Sequence, residues 1–439
     1  MTPAVSVWLA AALLALPAAD GARPGAPRPT RRPTPAPEPR AVPIENPAAL
    51  RPFLAALAAP AGAEPAPAPV RVLHFGDSHV AADWWSDELR RVLQRRGGDA
   101  GVGLVMPGRP WSHFNHERAK SPKAGWQTLG IGHQLGDGFV GLSGVALAPR
   151  SRATAASVIA RFSRFEVQIG LPDGQACLEL SVDGEPMYSG WIGLESGTPG
   201  GEQPGPSVTI DVAPIETAPG SAPPVPGSCR AIAFLRGEVA PGEHVLSIEG
   251  ACGGSLLVLG GDLRNTTPGV VVDTLGLNGA EMAWLERADP EVRRVLLTRA
   301  RPSLIIVSYG TNDMTAGDFS AASYLARARR ILAAFHRDAP EAAVLVTGPF
   351  DRSHRRQARR ELVRRRQREI TAALREAALA EGCAFWDARA AMGGEGSIAA
   401  WRRRGLAAGD LVHLSERGYR LLGGLLAEAL LSAGGEARP

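Results

Sequence analysis

The chain has 439 residues, more than one hydrophobic core usually organises, so two domains with appendages are expected. Apolar residues make up 45% and aromatics 5%, as in an ordinary soluble globular protein. The formal net charge is only +4 and the arginines crowd between Arg352 and Arg368, which argues against a broad nucleic-acid-binding face and reads as a solvated helix.

Val5 to Ala19 is a short apolar run followed by Ala19-Asp20-Gly21, a small-x-small cleavage pattern. It is too short for a membrane span and resembles a secretory core, although no Lys or Arg precedes it. Residues 1–22 therefore read as a signal peptide or N-terminal anchor. The protein is expected to be exported (periplasmic, cell-envelope associated or extracellular), with no membrane span left after cleavage. Residues 23–69 form a linker: Arg23 to Pro47 is a Pro/Arg/Ala tether, Ala48 to Ala58 a short amphipathic piece, and an Ala/Pro spacer runs to Pro69.

Val70 to Phe75 is a β-prone apolar run that ends in the turn Gly76-Asp77-Ser78-His79. A helix follows, with Trp85, Leu89, Val92 and Leu93 on one face. Ser78 thus sits at the end of a buried strand, the edge at which open α/β sheets bind ligands. Gly101 to Met106 reads as another short strand. The loop Pro110 to His116 carries Trp111, His113, Phe114 and His116. Without a carboxylate cluster the two histidines are a weak metal signal, and the loop either lines a substrate site or packs on the surface.

Over 130–262 helical periodicity gives way to alternation. Leu178, Leu180 and Val182 alternate with polar residues before Asp183-Gly184, and His244, Leu246 and Ile248 repeat the pattern. An antiparallel β-sandwich or jelly roll is expected, with a long exposed loop over Gly197 to Gly227. Of the four cysteines, Cys177, Cys229 and Cys252 fall in this region and Cys383 does not. No pair has Cys-x-x-Cys spacing, so the first three supply one disulfide of undetermined pairing or remain buried thiols.

Strands resume at Val270 to Asp273, Leu304 to Ser308, Ala343 to Thr347 and Cys383 to Trp386. Helices alternate with them over Tyr324 to Phe335, His354 to Ala380 and from Ser415 onward. That alternation predicts a parallel sheet covered on both faces, split into 70–129 and 263–439 around the β-rich insert.

Three further motifs belong at the same sheet edge as Ser78: Gly276-Leu277-Asn278-Gly279, Gly310-Thr311-Asn312-Asp313 and Asp410-Leu411-Val412-His413. A serine hydroxyl needs a base to take its proton and a third group to orient the base. Asp410 and His413, three apart, meet across one helical turn. The backbone N–H groups of Ser78 and Gly279 and the side-chain amide of Asn312 are candidate oxyanion donors, with Gly276 competing for the glycine role. The Gly-x-Ser-x-Gly elbow is absent, which disfavours a conventional α/β-hydrolase.

These motifs resemble the four blocks of the SGNH, or GDSL-type, hydrolase superfamily, in family order. The resemblance covers Val70 to about Thr128 and Asp262 to the C-terminus. It implies a flavodoxin-like three-layer α/β/α domain. His79 stands where the eponymous leucine would be, and the first two blocks are unusually far apart. Both features, with the Gly98-Asp99-Ala100-Gly101 run, are similar to a subgroup of bacterial peptidoglycan O-acetylesterases that carry a carbohydrate-binding-like β domain between those blocks.

The function this implies is an exported serine esterase that removes O-acetyl groups from a cell-envelope glycan, peptidoglycan being the leading candidate. Ser78, Asp410 and His413 would be catalytic, and no metal or organic cofactor is needed. The partner is the O-acetylated glycan, not nucleic acid. His79, Trp111 and Phe114 are candidate substrate contacts, with packing as the alternative for each. The same triad would serve a glycan O-acetyltransferase, and a degenerate wall-binding protein is the non-catalytic alternative.

Overall fold

The computed structural model describes residues 38–59, 68–132, 138–150, 154–194, 208–216 and 230–435, with the side chains of 251 and 252 set aside. The expected leader and most of the expected tether lie outside these residues. Where the linker enters the described chain it is packed. Arg40 N donates to Ala391 O at 2.9 Å, Glu45 exchanges both backbone hydrogen bonds with Phe385, and Trp386 Nε1 donates to Val42 O. A 3-10 turn, Pro47–Leu50, leads into helix α1, Arg51–Ala58, whose Phe53 is buried together with Leu50. The last third of the expected tether is therefore part of the fold, because its apolar residues find a cleft and its backbone finds a sheet edge to pair with.

Strand β1 (Val70–Gly76) is buried at every position. The short helix α2 (Ser78–Ala81) and then α3 (Trp84–Gly97) follow. Next come β2 (Gly101–Val105), β3 (Ala119–Lys120), β4 (Gln127–Gly130), β5 (Val145–Ala148) and the long β6 (Ala155–Leu171). After them lie β7 (Gln175–Val182), β8 (Glu185–Gly193), β9 (Thr209–Pro214), the longer β10 (Ala231–Gly254) and β11 (Leu257–Arg264). Then β12 (Val270–Gly276), α4 (Pro290–Ala300), β13 (Leu304–Ser308), α5 (Ala321–Asp338), β14 (Ala343–Thr347) and α6 (Gln357–Ala380) alternate. The chain closes with β15 (Ala384–Trp386), α7 (Ala388–Ala391), α8 (Ser397–Arg403) and α9 (Glu416–Ser432).

One sheet is five-stranded and parallel in the order β12-β1-β13-β14-β15. Numbered along the chain this is 2-1-3-4-5, the flavodoxin-like order, whose switch point lies between β1 and β13. Alternate residues of each strand feed opposite faces. Val70 and Val72 of β1 with Leu304 and Ile306 of β13 pack under α3 and α9, against Trp85, Leu89, Leu422 and Leu426. Leu73, Phe75, Ile305 and Val307 face the other way, onto Ile331, Leu332 and Phe335 of α5 and Ile370 and Leu374 of α6. On α3 the expected apolar residues Trp85, Leu89 and Leu93 are buried and Val92 is half-buried, but Ser86, Asp87, Arg90 and Gln94 are buried too.

The other sheet takes all ten strands from β2 to β11. It starts at Gly101, ahead of the expected boundary at 130, because β2 pairs antiparallel with β11 and joins no parallel strand. The expected alternation holds, with Leu178, Leu180, Leu246 and Ile248 buried. β6 and β10 pair along most of their length across a register shift between Glu238 and Gly242, so both run through the two halves of one continuous sheet. The expected loop over 197–227 contains β9, which pairs with β10, while 195–207 and 217–229 lie outside the described residues. Cys177 is disulfide-bonded, and Cys383 is a buried free thiol.

The two sheets share a core. The side chains of Phe75 and Leu275 belong to one apolar cluster with Val102, Leu104, Phe165 and Ile169. A buried ion cluster crosses the same junction: Arg71 of β1 donates to Asp273 of β12 at 2.6 and 3.1 Å and to Asp262 of β11 at 2.8 Å. Asp273 also accepts from Leu104 N at 2.6 Å, and Gly103, at φ +88°, leaves room for that carboxylate where a Cβ would stand 2.2 Å from it.

Candidate active site

Ser78 opens α2 immediately beyond β1. Asp77 caps this helix by accepting from His79 N at 2.9 Å. Two glycines allow the helix to lie on the strand ends: a Cβ on Gly76 would meet Val80 Cγ2 at 2.3 Å, and one on Gly276 would meet Ala81 N at 2.1 Å. Gly76 and Gly276 are register partners in neighbouring strands. Gly276 is needed for close packing under α2, while Gly279 sits in the loop beyond, at φ +79°.

Ser78 Oγ lies 2.9 Å from His413 Nε2, and His413 Nδ1 lies 2.7 Å from Asp410 Oδ2. The pair Asp410-His413 does not meet across a helical turn, as its spacing suggested. It forms a tight turn with Leu411 at φ +61°, in which Asp410 Oδ1 accepts from Val412 N at 2.9 Å and His413 N at 3.0 Å. Burial pushes the Asp410 carboxyl up, but the hydrogen bonds from the His413 ring and the two backbone N–H groups outweigh it and hold the carboxyl below its ordinary value. An ionised carboxylate can only accept, so Nδ1 carries the proton and the Nε2 lone pair faces the Ser78 hydroxyl. That is the tautomer a general base requires.

The other two motifs form one wall. Asn312 Nδ2 donates to Ala280 O at 2.9 Å, leaving its second amide hydrogen for another acceptor. Asp313 Oδ1 accepts from Met282 N at 3.2 Å, so adjacent residues of the β13 loop clasp the Gly279 loop at two points. Burial pushes the Asp313 carboxyl up to about 7; the Met282 hydrogen bond opposes this, and the nearby Glu281 and Asp77 reinforce it. Asp77 is likewise pushed up to about 6, mainly by burial.

Residues 247–421 match the family model for GDSL-like lipases and acylhydrolases. That match spans the second part of the α/β domain, which resembles a GDSL-like hydrolase. A solved peptidoglycan O-acetylesterase aligns at 22% identity over 88% of this chain and 96% of its own, with a TM-score of 0.64, so the two share a fold across both sheets. Smaller structures cover only part of the chain. A lipase/acylhydrolase from Enterococcus faecalis aligns at 19% identity over 37% of this chain and 77% of its own, TM-score 0.30. A carbohydrate esterase family 3 protein from Talaromyces cellulolyticus aligns at 18% identity over 38% and 73%, TM-score 0.29. None of the curated proteins matches the sequence.

Around Ser78, His413 and Asp410, the expected substrate contacts divide. His79 is 3% exposed and its Nδ1 lies 2.8 Å from Tyr419 OH. Its ring sits 5.4 Å from that of His413 and 4.4 Å from Phe350, so it packs beneath the base. Phe114 lines a small pocket with Ala81, Asn115 and Gly276, beside the helix of Ser78, and Trp111 packs edge-on against it at 5.3 Å. His113 is exposed whereas His116 is buried beside Asp83, and among the described residues no cluster suits a metal ion.

Two features carried no sequence signal. Arg352 Nη1 donates to Thr311 O at 2.6 Å and lies within electrostatic reach of Asp77 and Asp410, yet in the sequence it merges with the arginine run that follows. Asp83 is a buried hub at φ +62°. It accepts from Arg90 Nη2 at 3.1 Å, from Glu117 N at 2.7 Å and from Thr274 Oγ1, joining the nucleophile turn to α3, β12 and the loop of Phe114.

Proposed function

We propose that this hydrolase is an exported serine esterase that removes O-acetyl groups from a cell-envelope glycan, with peptidoglycan as the substrate. His413 Nε2 takes the Ser78 proton as Oγ attacks the acetyl carbonyl, and Asp410 stabilises the imidazolium. The oxyanion falls to the N–H groups of Ser78 and Gly279 and the free amide hydrogen of Asn312. His413 then protonates the departing sugar oxygen, and a water activated by the same imidazole releases acetate from the acyl-enzyme. The observation that carries the reading is the unbroken contact from Asp410 through His413 to Ser78.

Support for a glycan ester comes from the likeness to a peptidoglycan O-acetylesterase over both sheets. Support for export comes from the Cys177 disulfide, which persists in oxidising compartments, and from the apolar run near the N-terminus. The test measures acetate release from 4-nitrophenyl acetate and from O-acetylated peptidoglycan by the wild type and Ser78→Ala. Serine-dependent release from both is expected. Hydrolysis of the small ester alone would leave an esterase of another substrate, and acetyl transfer to a glycan hydroxyl in place of free acetate would make the protein a transferase.

A further inference from the structure

The loop before α6 and its first turn carry Arg352, Arg355, Arg356, Arg359 and Arg360. Further along the helix each arginine of the run with an ion pair has a defined carboxylate: Arg364 with Glu361 and Glu395, Arg365 with Glu369, Arg368 with Glu395. Among the described residues none of the first five has one. Arg352, Arg355 and Arg360 donate only to backbone carbonyls, those of Thr311, Gly409, His354 and Arg355. The first turn of α6 holds no acidic residue and its start has no side-chain cap. Several cations thus stand at the positive end of a helix dipole, where each is disfavoured. Their hydrogen bonds to backbone carbonyls hold some of these side chains in place, but no paired carboxylate neutralises their charge.

Two of these arginines, Arg352 and Arg355, border the catalytic turn, and Arg356 and Arg359 follow them in the chain. Ser353 N donates to Leu411 O at 2.9 Å, and Arg355 Nη2 donates to Gly409 O at 3.2 Å, beside Asp410. We propose that Arg352, Arg355, Arg356 and Arg359 form a cationic track that leads to the catalytic turn and holds the carboxylates of an anionic polysaccharide while its ester reaches Ser78. The ester rests on the function proposed above; the track rests on charge and position. A membrane surface fits less well, since lipid insertion wants apolar residues beside the basic ones. The large exposed apolar side chains among the described residues are Trp191 on β8 and Leu421 on α9, not on α6. Nucleic acid fits less well too, because no aromatic residue lies between Phe350 and Phe385 to stack on bases.

The experiment compares binding of the full-length protein to polygalacturonate, neutral dextran, phosphatidylglycerol vesicles and single-stranded DNA, from about 50 to about 500 mM salt. Two triple variants each lose three charges: Arg355→Gln/Arg356→Gln/Arg359→Gln in the track and Arg364→Gln/Arg365→Gln/Arg368→Gln beyond it. Polygalacturonate should bind in a salt-sensitive way and dextran should not. The track variant should weaken binding about tenfold, and the second variant less than about threefold. Equal weakening by both variants, absence of polygalacturonate binding, or tighter binding to vesicles or DNA would each overturn the track. Acetate release from 4-nitrophenyl acetate by the wild type and Ser78→Ala, run alongside, reports separately on the esterase.

Discussion

Among the described residues, the hydroxyl of Ser78 differs from every other serine hydroxyl in facing the lone pair of an imidazole whose other nitrogen is held by a carboxylate. Ser78→Ala should lower kcat by about four orders of magnitude or more with little change in KM, measured on a small acetyl ester. Asp410→Asn tests the tautomer. An amide N–H facing His413 Nδ1 would turn that nitrogen into an acceptor and send the proton to Nε2, so kcat should fall about 10³- to 10⁴-fold while the fold survives. Asp313 has a pH signature. Its folded value of about 7 exceeds the unfolded carboxyl's, so ionisation favours the unfolded chain, and stability is lost as pH rises through that window. Relative to wild type, Asp313→Asn should gain stability progressively from about pH 4 to pH 7 and gain none below, read from urea midpoints. Ser78 was legible from a short motif at a strand end, and Asp410 and His413 from a short motif just ahead of the last helix. Asp313 was visible only as a member of its motif, since its burial depends on the Met282 loop it accepts from. His79 was ambiguous for the same reason: nothing local says that Tyr419 and Phe350 close over it.

At the level of elements, α2 and α3 are held by buried charge as much as by apolar contact. Arg90 is fully buried and donates to Asp83, Asp87, Thr274 and the carbonyl of Val272. Replacing it with methionine keeps the stem but leaves Asp83 buried beside no guanidinium. Arg90→Met should cost about 3 kcal/mol in denaturant unfolding. A loss below about 1 kcal/mol would mean that Thr274 and Glu117 N alone satisfy Asp83. The apolar period of α3 was readable, but it hid this cluster, because a charged residue between apolar positions reads as solvent-facing until the packing of β12 and α9 is known.

Across the molecule, the insert and the parallel sheet were separable in sequence and are joined in space. β2 reads as one more short strand of the α/β pattern, and only its pairing with β11 assigns it to the larger sheet. Because Phe75 and Leu275 share a core with Leu104 and Ile169, and Arg71 is buried between Asp273 and Asp262, one face of the parallel sheet is completed by the larger sheet. Calorimetry should therefore show one cooperative transition for the described chain, and two well-resolved transitions would contradict the shared core. The packed stretch ahead of α1 was missed because proline-rich composition is read as free chain.

That stretch also orders events during synthesis. Residues 40–45 must wait for Phe385, Trp386 and Ala391 before their backbone has these partners, and β1 must wait for β12 and β13. That segment thus stays unpaired until the strand it borders has been made, and a chain halted before β15 would leave residues 40–45 open to proteases.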